Sequence, residues 1–170
     1  FSLRNNQVSH SQAWSTEDTQ AQLSAADVLV ISGFWQDEYL DQANRLRYIQ
    51  SIGAGYDQFP LDTLKARGIS LANATGVNAD AVSQHAMGLI LALYRQLHTG
   101  RDNQNQKMWR GMISDISMRE DDLCGHTVLI VGLGAIGNRL AALSKAFGMT
   151  VVGVKRNIDN YSGPADEVVS

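Results

Sequence analysis

The sequence predicts an α/β protein built on parallel sheets, and three observations support this prediction. Short β-branched runs alternate with helical patterns along the chain, as they do in βαβ units. A glycine-rich turn joins one of the later strands to the helix that follows it. The hydrophobic fraction of 44% is also high enough to fill a core.

The first half of the chain contains three predicted strands, at Val28–Ile31 and at residues 48–52 and 69–72. Apolar residues at helical spacing predict a helix within residues 37–47 and another that begins at Pro60 and stops at Gly68. Residues 1–22 are polar and aperiodic, and they allow a loose strand, a loop or a short helix.

The strongest helical pattern covers residues 80–97, and Asn78 or Asp80 can cap it. Residues 86–94 are apolar on all sides, which indicates either burial on several sides or packing against a second subunit. The polar residues 98–122 predict either a domain boundary or an extended arm. Trp109 stands alone in this arm, and we expect it to dock against another surface rather than to be an incidental surface residue.

The composition of the chain argues against several classes of protein. The net charge of −3 argues against a dedicated nucleic-acid binder. Cys124 is the only cysteine, so no intrachain disulfide can form and a reducing, cytoplasmic setting is expected. No apolar run approaches the length of a membrane span, and no cluster of His, Cys and carboxylate residues has metal-ligand spacing.

The glycine-rich turn lies between two predicted strands, at residues 127–131 and 150–154, and opens the helix between them. Gly132 permits the tight turn, Gly134 lets a pyrophosphate approach the backbone, and Gly137 lets the helix sit close to the strand. The helix then starts with Ala135 and Ile136, and its unpaired N–H groups can bind phosphate. The alternative, a fortuitous glycine-rich turn, is weakened by the strands on both sides.

The end of the second of these strands is expected to select the dinucleotide. NAD sites place an acidic residue there to bind the ribose 2′-hydroxyl, but this strand ends with Lys155, Arg156 and Asn157, and the first acid is Asp159. A guanidinium attracts a 2′-phosphate. The sequence therefore predicts NADP, with Arg156 as the main contact and Lys155 or Asn157 assisting. NAD stays possible, because Lys155 and Arg156 can also be ordinary solvated charges.

Three blocks of sequence, at residues 51–57, 73–85 and 122–137, resemble those of the D-isomer-specific 2-hydroxyacid dehydrogenases. The resemblance runs from about residue 24 to residue 170. It implies a flavodoxin-like substrate domain at residues 1–74 and the start of a Rossmann nucleotide-binding domain at 75–170, both incomplete. It also implies a homodimer and NAD(P)-dependent exchange of hydride with a small 2-keto or 2-hydroxy acid.

The resemblance assigns substrate-binding roles as well. Backbone N–H groups at Ala54 and Gly55 would hold the substrate carboxylate, a role that such a turn can fulfil, although a plain strand-to-helix loop is the alternative. Asn78 matches a polar position facing the cleft in some family members, and it competes with a role as helix N-cap. The family's catalytic Arg, Glu and His come from later strands, so no catalytic residue is expected in this chain, and the 170 residues alone should be inactive and expose apolar sheet edges.

Several functions stay open. A small acid such as glyoxylate or hydroxypyruvate is the expected substrate, because phosphate anchors are not evident near Ala54. A formate or phosphoglycerate dehydrogenase is less favoured. A non-catalytic dinucleotide-binding or dimerising protein, truncated or corepressor-like, is the alternative from another functional class.

Overall fold

The computed structural model describes residues 8–170, and the chain divides into two compact units, one ending at Val77 and the other covering Asn78–Ser170. The aperiodic stretch at 1–22 therefore lies partly outside the described residues. Helix α1, Thr16–Leu23, begins within the described part of this stretch, and its N-terminus is capped because Ser15 Oγ accepts the Asp18 N–H at 3.1 Å. The sequence predictions placed the boundary between domains after residue 74, and that boundary stays a prediction.

The first unit is a three-stranded parallel sheet with short helices between its strands. After α1 come β1 (Val28–Ile31), α2 (Tyr39–Gln42), β2 (Tyr48–Ser51), α3 (Leu61–Ala66) and β3 (Ser70–Ala72). The strand order is β1-β2-β3, with Ile49 paired to Leu29 and to Leu71. Ile49 is fully buried and lies at the centre of an apolar core that includes Leu23, Tyr39, Leu40, Phe59 and Leu64.

The second unit begins with two helices and continues as a second three-stranded parallel sheet. Its elements are α4 (Ala79–Tyr94), α5 (Leu97–Asn105), a short 3-10 helix (Ile116–Met118), β4 (Thr127–Val131), α6 (Ala135–Ala146), β5 (Thr150–Val154) and β6 (Glu167–Val169). The strand order is β4-β5-β6. Helices α4 and α6 pack together, and their contact contains a core of Met87, Leu123 and Met149.

The predicted helix at 80–97 is interrupted, and the predicted extended arm at 98–122 is wrong in its first part. Helix α4 ends at Tyr94, Gln96 adopts a left-handed backbone (φ 46°), and α5 then runs to Asn105. Tertiary hydrogen bonds hold this break: Arg95 Nη1 donates to Asp122 Oδ1 at 2.8 Å, and Gln96 Nε2 donates to Met118 O at 3.1 Å.

Two further elements differ from the sequence predictions. The helix expected within 37–47 is a single turn, Tyr39–Gln42. Strand β6 was not predicted, because its three residues are too few to show a pattern, and it is defined by pairing with β5.

Strands β1 and β4 each have one face that is exposed and apolar. Val28 and Val30 are exposed on β1, and Leu129 and Val131 are exposed on β4. Successive residues of a strand point to opposite faces, so each pair lies on one face. Within residues 8–170, no helix combines the length and the apolar character needed to cross a bilayer.

Candidate functional site

The glycine-rich turn continues the pairing of β4 with β5 in the second unit. Val131 pairs with Val154 at the ends of β4 and β5, and the Gly132 N–H donates to Val154 O at 2.9 Å. Gly132 then adopts φ 100°, a left-handed conformation that favours glycine. The chain therefore turns sharply at the carboxyl edge of the sheet, where open α/β sheets bind their ligands.

Gly137 is the point at which helix α6 touches this turn. A Cβ at Gly137 would lie 2.0 Å from Gly132 O and 3.3 Å from Ile130 Cγ2. No side chain fits at the first of these distances, so the close contact between helix and turn depends on glycine. This confirms the packing role that the sequence predicts for Gly137 in the fold.

Gly134 has the opposite environment. It is the N-cap residue of α6, with an extended backbone (φ −85°, ψ −158°), and a Cβ placed there would meet nothing within 4 Å. The space beside Gly134, next to Ala135 and Ile136 at the start of the helix, is therefore open. Helix N-termini carry unpaired N–H groups and a partial positive charge, so the geometry suits an anion.

Leu133 and Gly153 are site residues that the sequence predictions did not include. Leu133 lies between the first two glycines of the turn and is almost completely buried, and a Cβ at Gly153 of β5 would lie 2.3 Å from Leu133 Cδ1. The Leu133 side chain thus holds the turn down against β5. A glycine inside a predicted strand signals such a close approach.

Lys155, Arg156 and Asn157 follow β5 at the same edge of the sheet. The Lys155 N–H still belongs to the ladder and donates to Val169 O at 2.9 Å. Arg156 and Asn157 are exposed, and Asn157 Oδ1 accepts the Asp159 N–H at 2.9 Å. No ion pair in the described part of the chain involves Lys155 or Arg156. Both positive charges are therefore available to an anion.

A second turn with exposed N–H groups follows β2 in the first unit. Asn73 Nδ2 donates to Ala54 O at 2.7 Å, and the Ala74 N–H donates to Gly53 O at 3.0 Å. These bonds fix the carbonyl side of the turn to the loop after β3. Among residues 8–170, no acceptor bonds the N–H groups of Ala54 and Gly55, and both residues are exposed.

Asn78 occupies the N-cap position of α4 but does not use its side chain as a cap. Its backbone has φ −99° and ψ 3°, and its carbonyl accepts the Val82 N–H at 2.9 Å. No hydrogen bond runs from the Asn78 side chain to the helix. The capping alternative from the sequence is therefore not supported, and the role in a cleft stays a prediction.

The three histidines described in the second unit occupy two kinds of setting. His85 and His98 are exposed on α4 and α5. His126 is half-buried, with Nε2 3.2 Å from Asp121 Oδ2 and its ring packed edge-on against Tyr94. His126 thus joins the start of β4 to the end of α4. Across residues 8–170, no group of three His, Cys, Asp or Glu residues could hold a metal ion.

The family described as "D-isomer specific 2-hydroxyacid dehydrogenase, catalytic domain" matches residues 2–169. The parallel α/β fold with a glycine turn at the carboxyl edge of a sheet places the chain among proteins with flavodoxin-like and Rossmann domains, as in the solved relatives. The chain belongs to the D-isomer-specific 2-hydroxyacid dehydrogenase family.

Individual relatives agree with this assignment. The chain is 33% identical over 128 residues to D-3-phosphoglycerate dehydrogenase of Mycobacterium leprae, covering 75% of this chain and 23% of that protein. It is 35% identical over 154 residues to erythronate-4-phosphate dehydrogenase of Shewanella loihica, covering 89% of this chain and 35% of that protein. A solved family member from Aeromonas salmonicida is 30% identical with a TM-score of 0.74, covering 92% of this chain and 48% of that one. The chain thus spans from 23% to 48% of these relatives' lengths.

The two glycines of the turn should respond differently to alanine. Gly137→Ala places a methyl group against Gly132 O, and we expect the free energy of unfolding to fall by about 2 kcal/mol or more. Gly134→Ala enters open space and should cost less than about 1 kcal/mol, through the weaker N-cap alone. Urea unfolding followed by circular dichroism measures both. Equal losses in the two variants would contradict the close contact between Gly137 and Gly132.

Proposed function

We propose that this chain binds NADP(H) at the turn after β4 and forms part of an enzyme that transfers hydride between that cofactor and a small 2-keto or 2-hydroxy acid. One observation carries the proposal: the open space beside Gly134, the N-cap residue of α6, next to a turn that Gly137 allows to pack closely. A Cβ at Gly134 would project into this space, so the residue present fits a pyrophosphate.

The residues of this chain contribute binding and orientation. The N–H groups of Ala135, Ile136 and Gly137 would donate to the phosphates, and the α6 dipole adds to their attraction. Leu133, packed against Gly153, holds the turn in place before any ligand arrives. The nicotinamide supplies the hydride when it is bound, and the protein positions it.

Selection of the 2′-phosphate is assigned to the segment after β5. Arg156 is exposed and has no acidic partner among the described residues, and the next acid, Asp159, lies in the following turn. Lys155 adds a second positive charge from the same strand end. Asn157 uses Oδ1 within its own turn, so any contact it makes would come from its Nδ2.

The substrate carboxylate is assigned to the turn after β2. The N–H groups of Ala54 and Gly55 are exposed and unbonded among the described residues, which suits a carboxylate. Residues 51–57 contain no Lys or Arg, so this turn offers no positive side-chain charge to a substrate phosphate. This favours a small acid such as glyoxylate or hydroxypyruvate. Asn78 is proposed as an additional substrate contact, because its side chain is not engaged with the helix.

A phosphorylated hydroxy acid is the second candidate substrate class. It is favoured by the names of two relatives, D-3-phosphoglycerate dehydrogenase and erythronate-4-phosphate dehydrogenase. The acid–base His, its Glu partner and the Arg are proposed to lie outside these 170 residues. A cytoplasmic location is proposed on the single cysteine, Cys124.

A homodimer through the second unit is proposed from its exposed apolar side chains. Trp109 is 97% exposed and lines an open groove of about 560 Å³ with Leu97 and Met108. Leu89 and Leu93 on α4 are also exposed, so packing within the chain leaves part of the apolar surface of residues 86–94 accessible. Large exposed apolar surfaces mark protein interfaces.

Replacing Arg156 should change the preference between dinucleotides. In the whole protein that carries this sequence, Arg156→Gln is expected to weaken NADPH about 10-fold or more, because a charge-assisted hydrogen bond is lost, and to leave NADH nearly unchanged. Fluorescence titration at fixed ionic strength measures both dissociation constants.

Two variants serve as controls for this titration. Arg45→Gln removes an exposed arginine paired with Asp27 in the first unit and should leave both affinities unchanged. Gly134→Ala should weaken both dinucleotides equally, because its Cβ enters the pyrophosphate space. Wild-type protein that binds NADH as tightly as NADPH would disprove the NADP assignment.

Activity separates the enzymatic proposal from a non-catalytic role. We expect NADPH oxidation with glyoxylate or hydroxypyruvate from the whole protein and none from the 170 residues alone, because the acid–base group is proposed to lie elsewhere. A panel that also contains 3-phosphohydroxypyruvate distinguishes the two substrate classes. Activity of the 170 residues alone would show that the acid–base assignment is wrong. Binding without turnover by the whole protein would favour the non-catalytic alternative.

Trp109→Ala should weaken the proposed dimer. A buried interfacial tryptophan is worth about 2 kcal/mol or more, so the dissociation constant is expected to rise roughly 30-fold. Analytical ultracentrifugation across a concentration series measures it. Trp14→Ala is the matched control, because Trp14 is 85% exposed but lies in the first unit. An unchanged dimer in Trp109→Ala would place the interface elsewhere.

A further inference from the structure

The segment between β5 and β6 carries Arg156 and is fixed at both ends. At its start, the Lys155 N–H donates to Val169 O. At its end, Asp166 accepts from Lys145 Nζ and from the Val151 N–H, each at 2.7 Å. The bond from Lys145, followed by that from Val151, lowers the pKa of the Asp166 carboxyl below its ordinary value. The two ends of the segment are therefore fixed by bonds to the sheet and to α6. Its middle is held by a separate set of hydrogen bonds.

These hydrogen bonds form a chain from the middle of the segment to the phosphate-binding turn. The Tyr161 hydroxyl donates to Asn138 Oδ1 at 2.8 Å. Asn138, on the first turn of α6, in turn donates from Nδ2 to Leu133 O at 3.2 Å. The Tyr161 oxygen also accepts the Ala165 N–H at 3.3 Å. Tyr161 and Asn138 are both half-buried, so the bonds are partly shielded from water.

Gly163 lies directly against the hydrogen bond between Tyr161 and Asn138. A Cβ at Gly163 would lie 2.2 Å from the Tyr161 hydroxyl oxygen and 2.6 Å from Asn138 Oδ1. Its φ is not in the left-handed region, so the glycine is required here for space and not for backbone conformation. The segment can approach α6 this closely only because residue 163 has no side chain.

Between the strand end and Tyr161, the segment is folded on itself. The Asp159 N–H donates to Asn157 Oδ1, the Tyr161 N–H donates to Ile158 O at 3.3 Å, and Asn160 adopts φ 58°. Arg156 therefore belongs to a compact loop whose far side is held by Tyr161. A charged residue on a loop that is already ordered loses less entropy when it binds an anion than one on a free loop.

We propose that Asn138 and Tyr161 are positioning residues that hold the Arg156 loop against the phosphate-binding turn and thereby set the preference for a 2′-phosphate. The inference rests on the proposed function, because it deepens the assignment of Arg156. Neither residue touches the cofactor in this proposal. Both act through the loop, so their loss should affect the dinucleotide that needs Arg156 and spare the one that does not.

The test is a comparison of NADPH and NADH binding by Tyr161→Phe, Asn138→Ala and the double variant, in the whole protein. Each single variant is expected to weaken NADPH about 5-fold, within the range of one hydrogen bond, while NADH changes less than 2-fold. The double variant should lose no more than either single variant, because the two side chains act as one unit. Gly163→Ala, which forces the same contact apart, should show the same selective loss.

Tyr48→Phe is the matched control, because it also removes a hydrogen-bonded hydroxyl, the donor to Gln50 Oε1 at 2.7 Å, but in the first unit. It should change neither affinity. Equal weakening of NADPH and NADH by Tyr161→Phe would show a general structural role and overturn the inference. No change in either affinity in Tyr161→Phe would also overturn it. In both cases, a wild-type protein that prefers NADPH would leave the proposed function intact. Wild-type protein with no preference would overturn both.

Discussion

The contact between Gly137 and Gly132 O determines the geometry of the second unit. It brings the start of α6 directly onto the turn after β4, at a distance that no side chain at position 137 would permit. Because α6 also packs against α4, the same contact fixes where both helices lie relative to the β4-β5-β6 sheet. The N–H groups of the first turn of α6 are consequently aimed at the space outside the carboxyl edge of the sheet.

Parallel pairing then brings the second half of the proposed dinucleotide site to that edge. Since Val131 is in register with Val154, the two strands end together, and the residues that follow them lie side by side. One segment, Gly132–Gly137, offers backbone N–H groups, and the other, which starts at Lys155, offers positive side chains. Backbone N–H groups bind any phosphate, whereas side chains can distinguish one dinucleotide from another, so the two segments have different tasks.

The sequence predicted the parts of this fold whose causes are local. The strands at 127–131 and 150–154 and the glycine turn between them were predicted, because β-branched runs and glycine spacing are visible in short windows. The break at Arg95 and Gln96 was not, because bonds to Asp122 and Met118, more than twenty residues away, hold it. The contact of Leu133 with Gly153 was missed for the same reason, although the glycine within β5 signalled it.

The two proposed anion sites use different parts of the backbone. In the first unit, Asn73 donates to Ala54 O, and the N–H groups of the exposed Ala54 and Gly55 have no acceptor among residues 8–170. In the second, the start of a twelve-residue helix provides such groups. A lone turn has no helix dipole, so its hold on an anion depends on how rigidly the loop fixes its few N–H groups. Asn73, which anchors the loop after β3 to that turn, thus has in the first unit the task that Leu133 has in the second.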